Sequence, residues 1–245
     1  KRRIGVLSDP AGRALLARRA RAWRTIALAR RLRRNPPLAV GGRRLGENGP
    51  VFIIAEIGVN HDGDVAKAKR LIDEAVTAGA DAVKFQKRDL YACYTRDVVD
   101  HPERYEQAFQ YLIPLLKRYE LDEPAYRELA RYAAEKKILM LATPFDEPSI
   151  AFLERVLHPP LYKVASADLV NTVLLERLTK TGKPLILSTG IANLDEIDET
   201  AAFLLRRKIP FALLHCQSTY PAPEDALNLA MIPKLAARYG VPVGY

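Results

Sequence analysis

Six places along the 245-residue chain set a polar or ionisable side chain at the end of a short apolar run. They are Glu56 after Phe52-Ile53-Ile54-Ala55, Lys84 with Gln86 in the run 81–86, Thr143 after Ile138, and Lys163 with Ser166 in the run 161–166. Ser188 with Thr189 follow Pro184-Leu185-Ile186-Leu187, and His215 follows Phe211-Ala212-Leu213-Leu214. Two lysines among several hydroxyls suit a phosphate or a carboxylate, the amines supplying charge and the hydroxyls hydrogen bonds. Glu56 can accept a proton or orient a hydroxyl. His215 can ligate a metal or move a proton. Taken singly, each is better read as an ordinary residue: an ion-paired lysine, a hydrogen-bonded core histidine, a helix-capping hydroxyl. Six in the same place behind six runs favour a site.

What must position them is a repeated strand–helix unit. The stretch 51–87 reads as strand, loop, helix, strand: Asp62-Gly63 turns the chain, Asp64 caps a helix, and Ala68, Leu71, Ile72, Ala75 and Val76 share its apolar face. The pattern recurs with strands near 138–143, 161–166, 184–189, 211–215 and 241–245, and with helices opened by Asp122 (to about 137) and by Asp146 and at about 172–180, 194–207 and 223–239. Such alternation predicts a parallel sheet whose C-terminal strand ends gather the chemistry. The fold expected is a TIM (β/α)₈-type barrel, because no Gly-rich dinucleotide turn follows a strand. It is expected to be C-terminally incomplete, at about seven strands. The long connection 87–123, rich in tyrosine, reads as a lid or binding loop.

The division expected is a basic Arg/Ala-rich helical arm at 1–37, a short hairpin at the barrel bottom at 38–50 with Gly41-Gly42 at its turn, and the barrel at 51–245, truncated in the seventh strand. The formal net charge of +9 belongs to the arm: residues 1–45 hold fourteen Lys/Arg against one acid, Asp9, and the remainder is mildly acidic. Nucleic-acid binding is therefore not inferred from the overall charge. The arm is expected to touch the body little, with Leu16, Trp23 and Ala27 on one face. Two cysteines, Cys93 and Cys216, give no disulfide or zinc framework and suit a cytoplasmic protein. No apolar run is long enough for a membrane span.

The blocks FIIAEIGVNHDGD, ADAVKFQ, ATPFDEPS, YKVASADL, GKPLILSTG and LLHCQSTYPAP, in this order, resemble the sialic acid synthase family. That family comprises NeuB-type N-acetylneuraminate synthases with their legionaminate, pseudaminate and spore-coat polysaccharide relatives. The resemblance covers about residues 50–245 and leaves the arm without a counterpart. It implies condensation of phosphoenolpyruvate with an N-acyl amino sugar such as N-acetylmannosamine, giving a nine-carbon 2-keto sugar acid and phosphate. Lys84, Thr143, Lys163, Ser166 and Ser188 match the positions that hold phosphoenolpyruvate, and Glu56 and Gln86 those that face the sugar. His215 matches the first of two histidines for a divalent cation, manganese or magnesium. Asn60 and His61 match a first-loop motif. Glu56, Lys84, Lys163 and His215 are the catalytic set it implies.

The second metal histidine of the family motif would follow Gly244-Tyr245. The chain as it stands is therefore expected to be inactive alone, and the full-length form to be a homodimer. Two alternatives stay open: a Schiff-base aldolase using Lys84 or Lys163 as nucleophile, and an inactive truncated synthase or binding module on the same scaffold.

Overall fold

The computed structural model describes residues 10–31, 38–46 and 49–245. Residues 1–9, 32–37 and 47–48, which carry the ends of the arm and part of the 38–50 segment, lie outside the described residues.

The arm is a helix, α1 (Pro10–Arg31). A hairpin follows, β1 (Ala39–Val40) paired antiparallel with β2 (Arg43–Arg44). Gly41 and Gly42 both have positive φ at its turn, 55° and 80°; this is the primed turn that two-residue hairpins favour. The body then alternates: β3 (Ile54–Gly58), α2 (Val65–Thr77), β4 (Ala82–Lys87), α3 (Leu90–Cys93), α4 (Arg96–Asp100), α5 (Gln107–Tyr119), α6 (Glu123–Glu135), β5 (Leu139–Pro144), α7 (Glu147–Val156) and β6 (Tyr162–Val164). It continues with α8 (Thr172–Lys180), β7 (Leu185–Ser188), α9 (Leu194–Arg206), β8 (Phe211–Leu214), α10 (Met231–Tyr239) and β9 (Val243–Gly244). Among the described residues six helices begin on side-chain caps that accept an orphan backbone N–H: Asp64 for α2, Asp89 for α3, Asp122 for α6, Asp146 for α7, Asn171 for α8, and Asn193 for α9 in a capping box with Glu196.

Strands β3-β4-β5 and β6-β7-β8-β9 pair in sequence order, every pair parallel. β6 lies beside β5. Strand parity sorts the residues into two layers. Val83, Phe85, Met140, Ala142, Tyr162, Val164, Leu185, Leu187, Phe211 and Leu213 pack in the large core with the helices. Their alternates Ala82, Leu141, Leu161, Ile186 and Ala212 form a second cluster, which Leu38 and Val40 of the hairpin join. The hairpin thus stops one end of the inner layer, and continuing the same parity brings Lys84, Gln86, Thr143, Lys163 and Ser188 to the other.

Four expectations need correction. The arm does not stand apart. Ala22 and Ile26 of α1 are buried in the main core, while Trp23 and Ala27, expected to share one face, are exposed. The side chain of Leu16, the third of that face, lies outside the described residues. α1 sits on α9, with Arg19 paired to Asp195 at 2.7 Å and Arg18 paired to Glu199. Second, the first strand of the body runs Ile54–Gly58 rather than 52–55, because a register shift between Glu56 and Gly58 carries the pairing past Glu56. Third, the connection 87–123 is built of α3, α4 and α5 around its own small core of Leu90, Val98, Val99 and Ile113. Fourth, the helix read over 223–239 is a short 3₁₀ turn at Glu224–Ala226 followed by α10.

Candidate active site

The strand ends do converge. Lys84, in mid-β4 opposite Glu56 of β3 and Leu141 of β5, is buried. Its ammonium forms an ion pair with Glu56 and donates to Thr143 Oγ1 at 3.2 Å. Glu56 is half exposed, so one end of this pair faces the open side of the site. Lys163, on β6, is as buried as Lys84 but has no ion pair among the described residues; its amine donates to the Val164 carbonyl at 2.8 Å. Burial, and then the neighbouring Lys84 charge, push the Lys163 amine down to about 8. A buried cation without a counter-ion, beside a second cation, is costly. It is the arrangement that a bound anion would relieve.

The hydroxyls are placed by backbone contacts. Ser166 opens the 3₁₀ turn after β6, and its Oγ accepts from the Gly190 amide at 3.1 Å. Gly190 has no room for a side chain: a Cβ there would lie 2.6 Å from Ser218 Oγ and 3.1 Å from the Cys216 carbonyl. Ser188 ends β7 and accepts from Cys216 Sγ at 3.2 Å. Thr189 spends its hydroxyl on the Leu214 carbonyl at 3.0 Å, an ordinary strand-end bond.

Gln86 is held at the same end. Its backbone carbonyl accepts from Tyr126 Oη at 2.7 Å, and its side-chain Oε1 accepts from Arg88 Nη2 at 3.2 Å. His215 follows β8, its amide donating to the Gly244 carbonyl at 2.9 Å and its Nε2 lying 2.8 Å from the Leu227 carbonyl. Asn60 is exposed, and His61 is buried against Phe85, its Nδ1 accepting from the Gly63 amide at 3.0 Å.

The divalent cation can be tested against these donors. His215 has one ring nitrogen on a carbonyl. Among the described residues no three His, Cys, Asp or Glu side chains are grouped closely enough to hold a metal. The described donors do not by themselves make a cation site.

Sequence reasoning missed Arg88 and Cys216 here, and of Asp146 it read only the helix cap. Arg88 lies two positions past Gln86 and stacks 4.1 Å from the centre of the Phe145 ring. Cys216 meets Ser188. Asp146, buried, caps α7 through Ser149 N at 2.7 Å and also accepts from the Asp89 amide at 2.7 Å, tying the start of the 87–123 segment to the β5–α7 turn. Arg88 and Cys216 sit beyond strand ends, where no periodicity marks them.

A family model for the NeuB family matches residues 71–245. The chain belongs to the NeuB family. It is 36% identical over 206 residues to the human N-acetylneuraminate-9-phosphate synthase, covering 83% of this chain and 57% of that protein. It is 36% identical over 199 residues to the N,N'-diacetyllegionaminic acid synthase of Campylobacter jejuni, covering 79% of this chain and 59% of the relative. Among solved structures, the N-acetylneuraminic acid synthetase of Leptospira borgpetersenii superposes with a TM-score of 0.75 at 37% identity, covering 86% of this chain and 70% of that one. The chain thus spans less than three fifths of the length of these two curated relatives. The NeuB match begins within α2 and takes in every strand-end residue from Lys84 to His215. Glu56 lies ahead of it. No helix among the described residues is long and apolar enough to cross a membrane.

Proposed function

We propose that this NeuB-family site condenses phosphoenolpyruvate with an N-acyl amino sugar of the N-acetylmannosamine kind, giving a nine-carbon 2-keto sugar acid and inorganic phosphate. The observation that carries the reading is the buried pair Lys84 and Lys163, one ion-paired and one not, at the hydroxyl-bearing ends of parallel strands. The parallel order and inward parity support a (β/α)₈-type barrel.

The chemistry follows from the charges. The enol carbon attacks the aldehyde carbon of the open-chain sugar and a C–C bond forms. Positive charge develops at the phosphate-bearing carbon, and water adds there. The tetrahedral adduct collapses to the ketone, breaking its C–O bond to phosphate, and the former aldehyde oxygen takes up a proton. Lys84 and Lys163 offset the phosphate and carboxylate charge throughout, in a setting where fixed charges act strongly. Thr143, Ser166 and Ser188 offer hydroxyls to the anion oxygens. Glu56, held by Lys84 but open on its other side, faces the sugar.

In a chain of the relatives' full length, the test is phosphate release from phosphoenolpyruvate on addition of N-acetylmannosamine, with the keto acid identified by mass; the 245-residue chain by itself is expected to release none. Sugar-dependent release with the matching product is the expected result. Release that ignores the sugar would overturn the reading.

The depressed Lys163 amine favours a second reading, a Schiff-base aldolase, since a neutral amine is the nucleophile such chemistry needs. Borohydride with a keto acid would then attach the acid to Lys163. The condensation reading expects no such adduct.

A further inference from the structure

We propose that the trough between the arm helix and the body binds a nucleoside diphosphate, its phosphates on arginines of both walls and its ring on an apolar floor. The site shares no residue with the strand ends and does not rest on the reading above.

α1 is buried against the body at Ala22 and Ile26. Between it, α9 and the start of α8 a cavity of about 620 Å³ is left open, within the range that holds a small ligand. Spacing builds its walls. Arg18, Arg21 and Arg24 recur every three residues along α1, and Glu196, Glu199, Phe203 and Arg206 every three or four along α9, so each set shares one helix face. The acids of the cavity are already engaged. Glu199 is paired with Arg18, and the Glu196 carboxylate accepts from the Asn193 amide at 2.8 Å in the α9 capping box. Arg21, Arg24 and Arg206 have no acidic partner among the described residues. Three like charges therefore border one space, and an anion there would offset them.

The kind of anion follows from the rest of the lining. A guanidinium forks onto two phosphate oxygens at once, and a diphosphate offers enough oxygens for several such forks. The floor is apolar: Leu175 is buried, Val170 is half exposed, and Phe203 is held flat by the Arg207 guanidinium 3.7 Å over its ring centre. An inorganic anion would leave that floor in water, whereas a ring carried beside the phosphates covers it. A nucleoside diphosphate has both parts. Bound there, it would join α1 to α8 and α9, so that ligand binding and docking of the arm are linked.

The experiment is calorimetric titration of the 245-residue chain with ADP, with pyrophosphate and with adenosine. It is repeated on R206Q, R21Q/R24Q, K163A and R131Q, the last an exposed arginine of α6 outside the cavity. ADP is expected to bind more tightly than either of its parts. R206Q is expected to weaken it about tenfold and R21Q/R24Q further, as charge-assisted bonds to phosphate are lost, while R131Q and K163A leave it unchanged. In parallel, ADP is expected to slow limited proteolysis within residues 10–31 of the wild type, and to protect R206Q less at the same concentration. R206Q lies on the body and reads the site even where R21Q/R24Q releases the arm. Pyrophosphate binding as tightly as ADP would reduce the trough to a patch of charge and overturn the proposal. Loss of ADP binding in K163A would put the nucleotide at the strand ends and overturn it too. So would the absence of ADP binding, or an affinity that R206Q leaves unaltered or that R131Q lowers equally.

Discussion

At the residue scale, Lys163 is the uncompensated charge of the site. Its amine is held at about 8, below the usual lysine value of 10.5, by burial and then by Lys84. The folded state therefore binds fewer protons than the unfolded chain between about pH 8 and 10.5, so this group's contribution to stability rises with pH through that window and is least favourable below pH 8. Lys163→Met, which removes a buried unpaired charge at similar volume, is expected to raise the melting temperature of the ligand-free chain at pH 7 and to lose anion affinity together. A lower melting temperature for Lys163→Met would show that the charge is already compensated. Anion affinity should be flat below pH 8 and fall as pH rises beyond it, since the cation disappears in that range; calorimetric titration across pH 7–10 reads this directly. The lysines were legible in the sequence because each sits at an inward position of a strand. That Lys84 would be ion-paired and Lys163 not was illegible, because it depends on Glu56, which reaches Lys84 only through β3–β4 pairing.

At the scale of elements, parity explains most of what could be read. Alternation along 82–86, 139–143 and 185–188 separates helix-facing from inward residues, and the caps at Asp64, Asp122 and Asp146 mark helix starts. Leu213 faces the helices and is buried, so Leu213→Ala should cost about 2–5 kcal/mol in chemical denaturation through the cavity it leaves, with anion affinity changed little. A loss below about 1 kcal/mol would mean that β8 is not packed as described. The elements misread share a cause. α3 and α4 span four and five residues, too few for a helical period to show. The docking of α1 rests on Ala22 and Ile26, two apolar residues one turn apart among arginines. Ion pairs on an exposed surface add little, so Ile26 should dominate: Ile26→Asp is expected to expose residues 10–31 to limited proteolysis while the parallel strands keep their amide protection. Unchanged cleavage would show that α1 is held by something else. The bulge after Glu56 was hidden because an apolar run gives no sign of where its pairing shifts.

At the scale of the whole molecule, one pattern repeats: parallel strands in sequence order, helices over their outer layer, a hairpin against one end of the inner layer and cations at the other. Membership of the NeuB family fits that frame, and the family blocks in the sequence fall on the strand ends that the fold brings together. The central claim is that Lys84 and Lys163 form the anion site for phosphoenolpyruvate. Its most direct test is calorimetric titration of the chain with phosphoenolpyruvate at pH 7, beside Lys163→Ala and Leu213→Ala. The account predicts binding by the wild type, a loss of roughly 2–4 kcal/mol for Lys163→Ala as a buried anion loses its charged partner, and little change in affinity for Leu213→Ala. Equal affinity in wild type and Lys163→Ala would contradict it.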